Sequence, residues 1–246
     1  MRFATILALG ALASLAAPAT AQEAQSRPSG WQFTLEPYLM LPSMDGRSSV
    51  GPVDVRVSTS PADIFRNLNW GIMGLAELNN GRFGILLDGT YMNLETPRDR
   101  LLDSIGGHQG AYSVMALARI DSNAEVYAGA RINDIGVRLS ATGPLGVART
   151  ASRSVTWVDP IVGMRVNLPF SSTTDLTVMA DVGGFGAASD ITVQAWPSLG
   201  FRLSNALRAK LGYRLVYTKY ETGEGLSRFT YDVLTYGPTI GMQIRF

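Results

Sequence analysis

The sequence runs to 246 residues with 21 Lys plus Arg, 20 Asp plus Glu and a single His. This near balance of charge gives no electrostatic case for nucleic acid as a partner, and no long basic run marks an anionic membrane surface. Cysteine is absent, which excludes disulfide staples, a thiol nucleophile and a lipid-modified N-terminal Cys.

The chain opens with "MRFATILALGALASLAAPATAQ". Arg2 is followed by an apolar stretch from Phe3 to Ala17, then Pro18 and the small-residue pattern Ala19-Thr20-Ala21. This is the layout of a secretory signal peptide over residues 1–21, with cleavage expected after Ala21. The apolar segment is short for a membrane span, and nothing after Ala21 approaches the roughly 20 apolar residues of a membrane helix. Residues 22–30 are polar, carry Pro28 and Gly30, and read as a flexible leader.

From Trp31 to Phe246 a period of two recurs, the signature of strands whose successive side chains face opposite ways. In "WQFTLEPYLML" Trp31, Phe33, Leu35, Pro37, Leu39 and Leu41 share one face. Further on, Phe83, Ile85, Leu87 and Tyr91 oppose Gly84, Leu86, Asp88 and Thr90. Val158, Val162, Met164 and Leu168 oppose Asp159, Gly163, Arg165 and Asn167. Ile191, Val193, Leu199 and Phe201 oppose Thr192, Gln194, Ser198 and Arg202. Leu207, Leu211, Tyr213 and Tyr217 oppose Arg208, Lys210, Gly212 and Arg214.

Turn signals stand at Asn79–Arg82, Asp121–Ala124, Ser171–Asp175 and Ser204-Asn205. They alternate with longer polar connections around Glu95–Gly110, Ser140–Ser154 and Glu221–Arg228. Short turns at one end and long loops at the other describe an outer-membrane barrel. The runs are also longer than the strands of about five or six residues usual in soluble sandwiches, and long enough to cross a bilayer at a tilt. One segment departs: Ser60, Pro61 and Asp63 form an N-cap, a Pro at N1 and a capping box, so a short helix is expected over Pro61–Leu68.

About eleven runs are strand-like, and a closed bacterial barrel takes an even number. Either the helix crosses the lumen and the run near Val50–Ser58 is not a wall strand, giving ten, or two strands are merged, giving twelve. The expected fold is an all-β, up-and-down antiparallel transmembrane barrel of 10 to 12 strands over residues 31–246.

The polar faces are rich in Gly, Thr, Ser and Asn rather than Lys and Glu, which suits a crowded interior. Trp31, Trp70, Tyr91, Tyr213, Tyr217, Tyr231 and Tyr236 fall near strand ends and read as an interfacial girdle. The final "TIGMQIRF" resembles the β-signal of bacterial outer-membrane proteins in Thr239, Gly241, Ile244 and Phe246, which implies recognition by the barrel-assembly machinery. "DPIVG" at Asp159–Gly163, "DVGGFG" at Asp181–Gly186, "GYR" at Gly212–Arg214 and the spaced residues from Tyr231 to Gly241 add a second likeness. Through them the chain resembles a family of proteobacterial outer-membrane β-barrel proteins, porin-like and without an assigned activity. The resemblance is best over the C-terminal half. It implies a fold and a place in the outer membrane, among outer-leaflet lipid and lipopolysaccharide, and no substrate or catalytic residue.

Catalytic candidates are sparse. His108, expected in a loop near Asp103 and Ser104, lacks the fixed geometry that a triad needs. One His, no Cys and no calcium-loop spacing leave no metal ligand set. No cofactor motif is present, since "GPLG" and "GGFG" do not lead from a strand into a helix with a Lys. The chain therefore reads as a non-enzyme.

By alternation Glu36, Glu77, Asp88, Asp159 and Asp181 face the lumen, as do Arg119, Arg131, Arg165, Arg202, Arg208, Lys210, Arg214 and Arg245. That excess of base suggests a narrow channel favouring anions. Interior ion pairs that stiffen a closed barrel are the competing reading. The expected role is a structural or small-solute channel protein. A barrel enzyme acting on envelope lipids through His108, or a surface binding module using the long loops, are the alternatives.

Overall fold

The computed structural model describes residues 30–97, 104–142 and 148–246. The signal peptide with Ala19 and Ala21, the leader up to residue 29, and Asp103 lie outside the described residues. Twelve strands follow in chain order: β1 (Gln32–Met40), β2 (Ser43–Val50), β3 (Val53–Thr59), β4 (Leu68–Asn79), β5 (Phe83–Pro97), β6 (Ser104–Arg119), β7 (Ala124–Thr142), β8 (Ala148–Pro169), β9 (Thr174–Gly183), β10 (Ile191–Arg202), β11 (Leu207–Thr222) and β12 (Phe229–Arg245). One helix, α1 (Pro61–Asn67), joins β3 to β4.

Each strand from β4 to β12 pairs antiparallel with the next, and β1 closes the ring by pairing with both β4 and β12. The barrel therefore has ten wall strands. The remaining two form a hairpin: β2 continues β1 after a break at Leu41-Pro42 and pairs with the Phe229–Tyr236 half of β12, and β3 pairs only with β2. Because β1 spends its register on the lower half of β12, from Thr239 to Arg245, β2 takes the upper half. This resolves the choice between ten and twelve: the Val50–Ser58 run belongs to a hairpin standing above the ring.

Helix α1 carries the expected cap. The Ser60 side chain accepts from the Asp63 N–H, and the Asp63 carboxylate accepts from the Ser60 N–H at 3.3 Å. The helix ends at Asn67 and packs on β5. It does not cross the lumen, and seven residues rising about 1.5 Å each are too short to do so.

Both chain directions place the short turns, β1's first residue and β12's last residue at one end. There the Phe246 N–H donates to the Phe33 carbonyl at 2.9 Å, and the two rings lie 5.6 Å apart. In outer-membrane barrels the short-turn end faces the periplasm. At the other end the strands run on beyond the polar connections expected from sequence: β7 has 19 residues and β8 has 22, so much of Ser140–Ser154 is paired wall.

The alternation decides which face meets which solvent. Ile85, Val158 and Leu211 are 52 %, 51 % and 50 % exposed, while their inward neighbours Leu86 and Asp159 are fully buried. A belt of large apolar side chains circling the outside would be an association hazard in water and is satisfied by acyl chains. On β11 it extends from Leu207 to Tyr217, about 33 Å along the strand and roughly 25 Å in height once tilted. Above it the outward residues turn polar: Lys219 pairs with Asp190, and the Tyr217 hydroxyl donates to Asp232 at 2.9 Å.

Candidate functional site

The interior is built in layers by the inward residues of successive strands. At the periplasmic end lies a polar vestibule of about 400 Å³. Arg165 of β8 reaches Glu77 of β4 (3.0 Å) and Glu125 of β7 (2.7 Å), and Arg119 of β6 donates to Glu125 at 2.8 Å. Arg208 of β11 pairs with Asp175 of β9 at 2.9 Å, and Lys210 with Glu36 of β1 at 2.9 Å. Arg202 and Arg245 line the same vestibule and have no carboxylate partner among the described residues.

Above the vestibule the bore is filled. Tyr38, Leu75, Leu86, Met115, Leu117, Tyr127, Ile161, Met179 and Trp196 form one buried cluster contributed by eight wall strands. Two ion pairs are set among them. Arg214 of β11 engages Asp88 of β5, with the Tyr38 hydroxyl donating to the same carboxylate at 2.8 Å. Arg131 of β7 engages Asp181 of β9 at 2.9 Å, and the Tyr127 hydroxyl donates to Asp181 at 3.1 Å. Gln194 of β10 joins the two pairs, accepting from Arg214 at 3.1 Å and donating to Asp181 at 3.1 Å. The Arg214 guanidinium also lies 4.8 Å from the Trp196 ring centroid, a cation–π distance. Asp181 Oδ1 is the one buried side-chain polar atom without a partner among the described residues.

Farther out, a small cavity of about 50 Å³ separates this waist from a second apolar cluster. That cluster comprises Trp157, Tyr220, Phe229, Tyr231 and Val233, with Met44 and Val57 of the hairpin packed against it. Tyr231 thus lies inside, its ring 6.0 Å from Trp157 and its hydroxyl accepting from Gln109 at 3.2 Å. It is not part of the girdle assigned from sequence, because the alternation of β12 turns odd-numbered residues inward.

Asp159 is also interior, with partners other than arginine. It accepts from the Ser189 N–H (2.8 Å), the Ser189 hydroxyl (2.7 Å), Trp157 Nε1 (3.0 Å) and Asn133 Nδ2 (3.2 Å). These bonds tie the β9–β10 connection into the barrel mouth. In that connection Phe185 adopts φ 51° between Gly184 and Gly186, a conformation unusual for a bulky residue.

Two inward acids escape the sequence reading: Glu125 and Asp175. Each is the second residue of its strand, directly after a turn, and extending the alternation to the strand's edge would have found both. With them the inward acids named from the described residues number seven, against the eight bases read from the sequence. Thr239 of the C-terminal pattern faces inward and accepts from Trp196 Nε1 at 3.0 Å; Gly241 follows on the same face, whereas Ile244 and Phe246 belong to the outward face.

His108 is not in a loop. It sits on β6, on the outward face of the wall with Tyr112 and Val114, and its Nε2 lies 3.0 Å from Asp134 of β7. The imidazole lies over Gly136, where a Cβ would fall 2.2 Å from His108 Cε1. Thr156 of β8 donates to the other Asp134 oxygen at 2.8 Å, and Tyr91 stacks on the imidazole at 6.0 Å, with Trp70 beyond it. Among the described residues no Ser or Thr hydroxyl is hydrogen-bonded to His108.

No protein-family model matches the sequence, and no curated protein matches it. Among solved structures the chain is similar to the outer membrane protease OmpT from Escherichia coli, with a TM-score of 0.54 at 9 % identity over 91 % of this chain and 99 % of that one. Ail, the attachment invasion locus protein of Yersinia pestis, aligns with a TM-score of 0.40 at 14 % identity over 89 % and 99 %. A FadL homologue of Pseudomonas aeruginosa gives 0.38 at 9 % identity over 88 % and 89 %. At 9 % identity the OmpT likeness speaks for fold alone. Together with the apolar outer belt, it identifies the chain as an outer-membrane β-barrel of the Gram-negative type.

Proposed function

We propose that the protein is a structural, non-enzymatic barrel of the outer membrane that is closed to solutes at its waist. The supporting observation is the filled layer formed by Tyr38, Leu86, Met115, Tyr127 and Trp196 around the Arg214–Asp88 and Arg131–Asp181 pairs. Of the two sequence readings of the inward charges, the pairing favours stiffening over conduction. A water-filled channel leaves basic side chains facing water, whereas the waist pairs are buried and hydrogen-bonded on several sides. A small-solute channel of the same fold would require this layer to move. Lipid and lipopolysaccharide would surround the apolar belt, and the assembly machinery would read the last residues of β12.

Planar-bilayer recording of refolded protein tests the proposal. No stepwise conductance is expected from the native chain, and conductance should appear in a Tyr38→Ala, Trp196→Ala double variant. Steady ohmic steps from the native protein would contradict a closed waist.

A second reading, a barrel enzyme acting on envelope lipids, draws on the outward His108–Asp134 pair flanked by Tyr91 and Thr156. It lacks a nucleophile bonded to the imidazole. Release of fatty acid from outer-membrane lipid that His108→Ala abolishes would establish it.

A further inference from the structure

The vestibule holds a feature that the structural role does not use. Arg202 of β10 stands directly opposite Arg208 of β11 in the strand register, and Arg208 stands opposite Gln243 of β12. Arg245 lies one inward position beyond Gln243. Like charges directly opposite on one face of a sheet are destabilising. Arg202 and Arg245 both repel the Arg208 guanidinium, which Asp175 and, more weakly, Glu36 attract, and of these two carboxylates only Asp175 is bonded to Arg208. The other vestibule acids are engaged as well: Glu36 by Lys210, Glu77 and Glu125 by Arg165. Three guanidinium groups therefore share one carboxylate at the rim of a chamber that opens to the periplasm and ends blindly at the waist.

We propose that this rim is a binding site for a small, multiply charged oxyanion of the phosphate-ester class, held by Arg202, Arg208 and Arg245. Guanidinium forks donate two parallel N–H bonds to a pair of oxygens, and they match phosphate geometry better than a point charge does. A chamber of about 400 Å³ falls in the range of small-molecule sites. Gln243 beside the arginines, and Thr173 and Thr174 on the β8–β9 turn side, line the same chamber and supply neutral donors. A bound dianion would relieve the repulsion between Arg202 and Arg208, so occupancy and rim order reinforce each other.

The phosphate could arrive as a soluble ester from the periplasm or as the headgroup of an inner-leaflet phospholipid. Calorimetric titration of inorganic pyrophosphate into the full-length protein refolded in a non-ionic detergent is the test, with the heat-dependent gel shift verifying the fold of each variant. Saturable binding is expected, at least tenfold weaker in Arg202→Gln/Arg245→Gln and weakened by added salt. Arg202→Gln alone leaves the chain end intact, and it should lose a substantial part of the affinity. Competition by phosphatidylglycerol mixed into the micelle would assign the phosphate to lipid, and its absence would assign it to a soluble ester; both outcomes retain the site. Absence of saturable binding by pyrophosphate and phosphatidylglycerol alike, or binding unchanged in the double variant, overturns the proposal. Neither result depends on whether the waist conducts.

Discussion

The guanidinium of Arg214 donates through both terminal nitrogens to the carboxylate of Asp88, a residue 126 positions earlier in the chain and across the barrel interior. Side chains of both are about 95 % buried, at 4 % and 5 % exposure. A desolvated pair of this kind stabilises little against an apolar replacement, yet removing one partner leaves a buried charge without compensation. Arg214→Met or Asp88→Leu alone should therefore cost about 3–5 kcal/mol, and the double variant should recover most of that loss. Urea unfolding in micelles, followed by tryptophan fluorescence, reads the difference.

Asp159 should govern the order of the β9–β10 connection. Asp159→Ala leaves the Ser189 N–H and the Asn133 amide without their acceptor, while the Trp157 indole N–H keeps the Ser189 hydroxyl, at about 1–3 kcal/mol for each buried group left unpaired. Faster limited proteolysis within residues 184–190 is expected, with the gel shift retained. Asp159→Asn, which keeps one acceptor oxygen, should fall between the two.

Gly136 makes room for the only histidine. Gly136→Ala places a methyl where the imidazole lies and should lift the ring from Asp134. Because the chain has one His, its imidazole resonances report this directly. They should move in Gly136→Ala and in Asp134→Asn, and stay in place in Asp88→Asn.

Asp63 carries the pH dependence of the α1 cap. Hydrogen bonds from the Ser60 hydroxyl and backbone N–H hold its carboxyl below the usual aspartate range. The folded value is thus depressed relative to the unfolded one, so the cap's contribution is complete above the ordinary aspartate range and is lost as pH falls through the depressed midpoint. Carboxyl carbon NMR should show that midpoint below the ordinary value, and Ser60→Ala should return it toward normal.

The barrel was legible in the sequence because period-two alternation survives from β1 to β12, and because the cap at Ser60, Pro61 and Asp63 is local. What escaped depends on contacts between distant residues. Whether Val50–Ser58 joins the ring is set by how β1 and β2 divide β12. The partner of Arg131 is Asp181, although Asp159 is its register neighbour, and alternation gives a face but not a rotamer. An aromatic near a strand end fits a girdle or an interior cluster equally well, so that position alone does not place Tyr231 in the interior cluster. His108 looked like a loop residue because "LLDSIGGHQG" is glycine-rich, and glycine there serves close packing in the extended wall.

Apolar outward faces meet acyl chains, and the interior between them is filled. Because the chain has no cysteine, nitroxide labels introduced at Ile85, Val158 and Leu211, and at Leu86 and Met115 inside, give the most direct test in lipid bilayers. Outward labels should be relaxed by lipid-dissolved oxygen and not by a water-soluble nickel chelate, while the inward labels should respond weakly to both. Nickel relaxation at the outward sites, or strong nickel access at Leu86 and Met115, would contradict this arrangement.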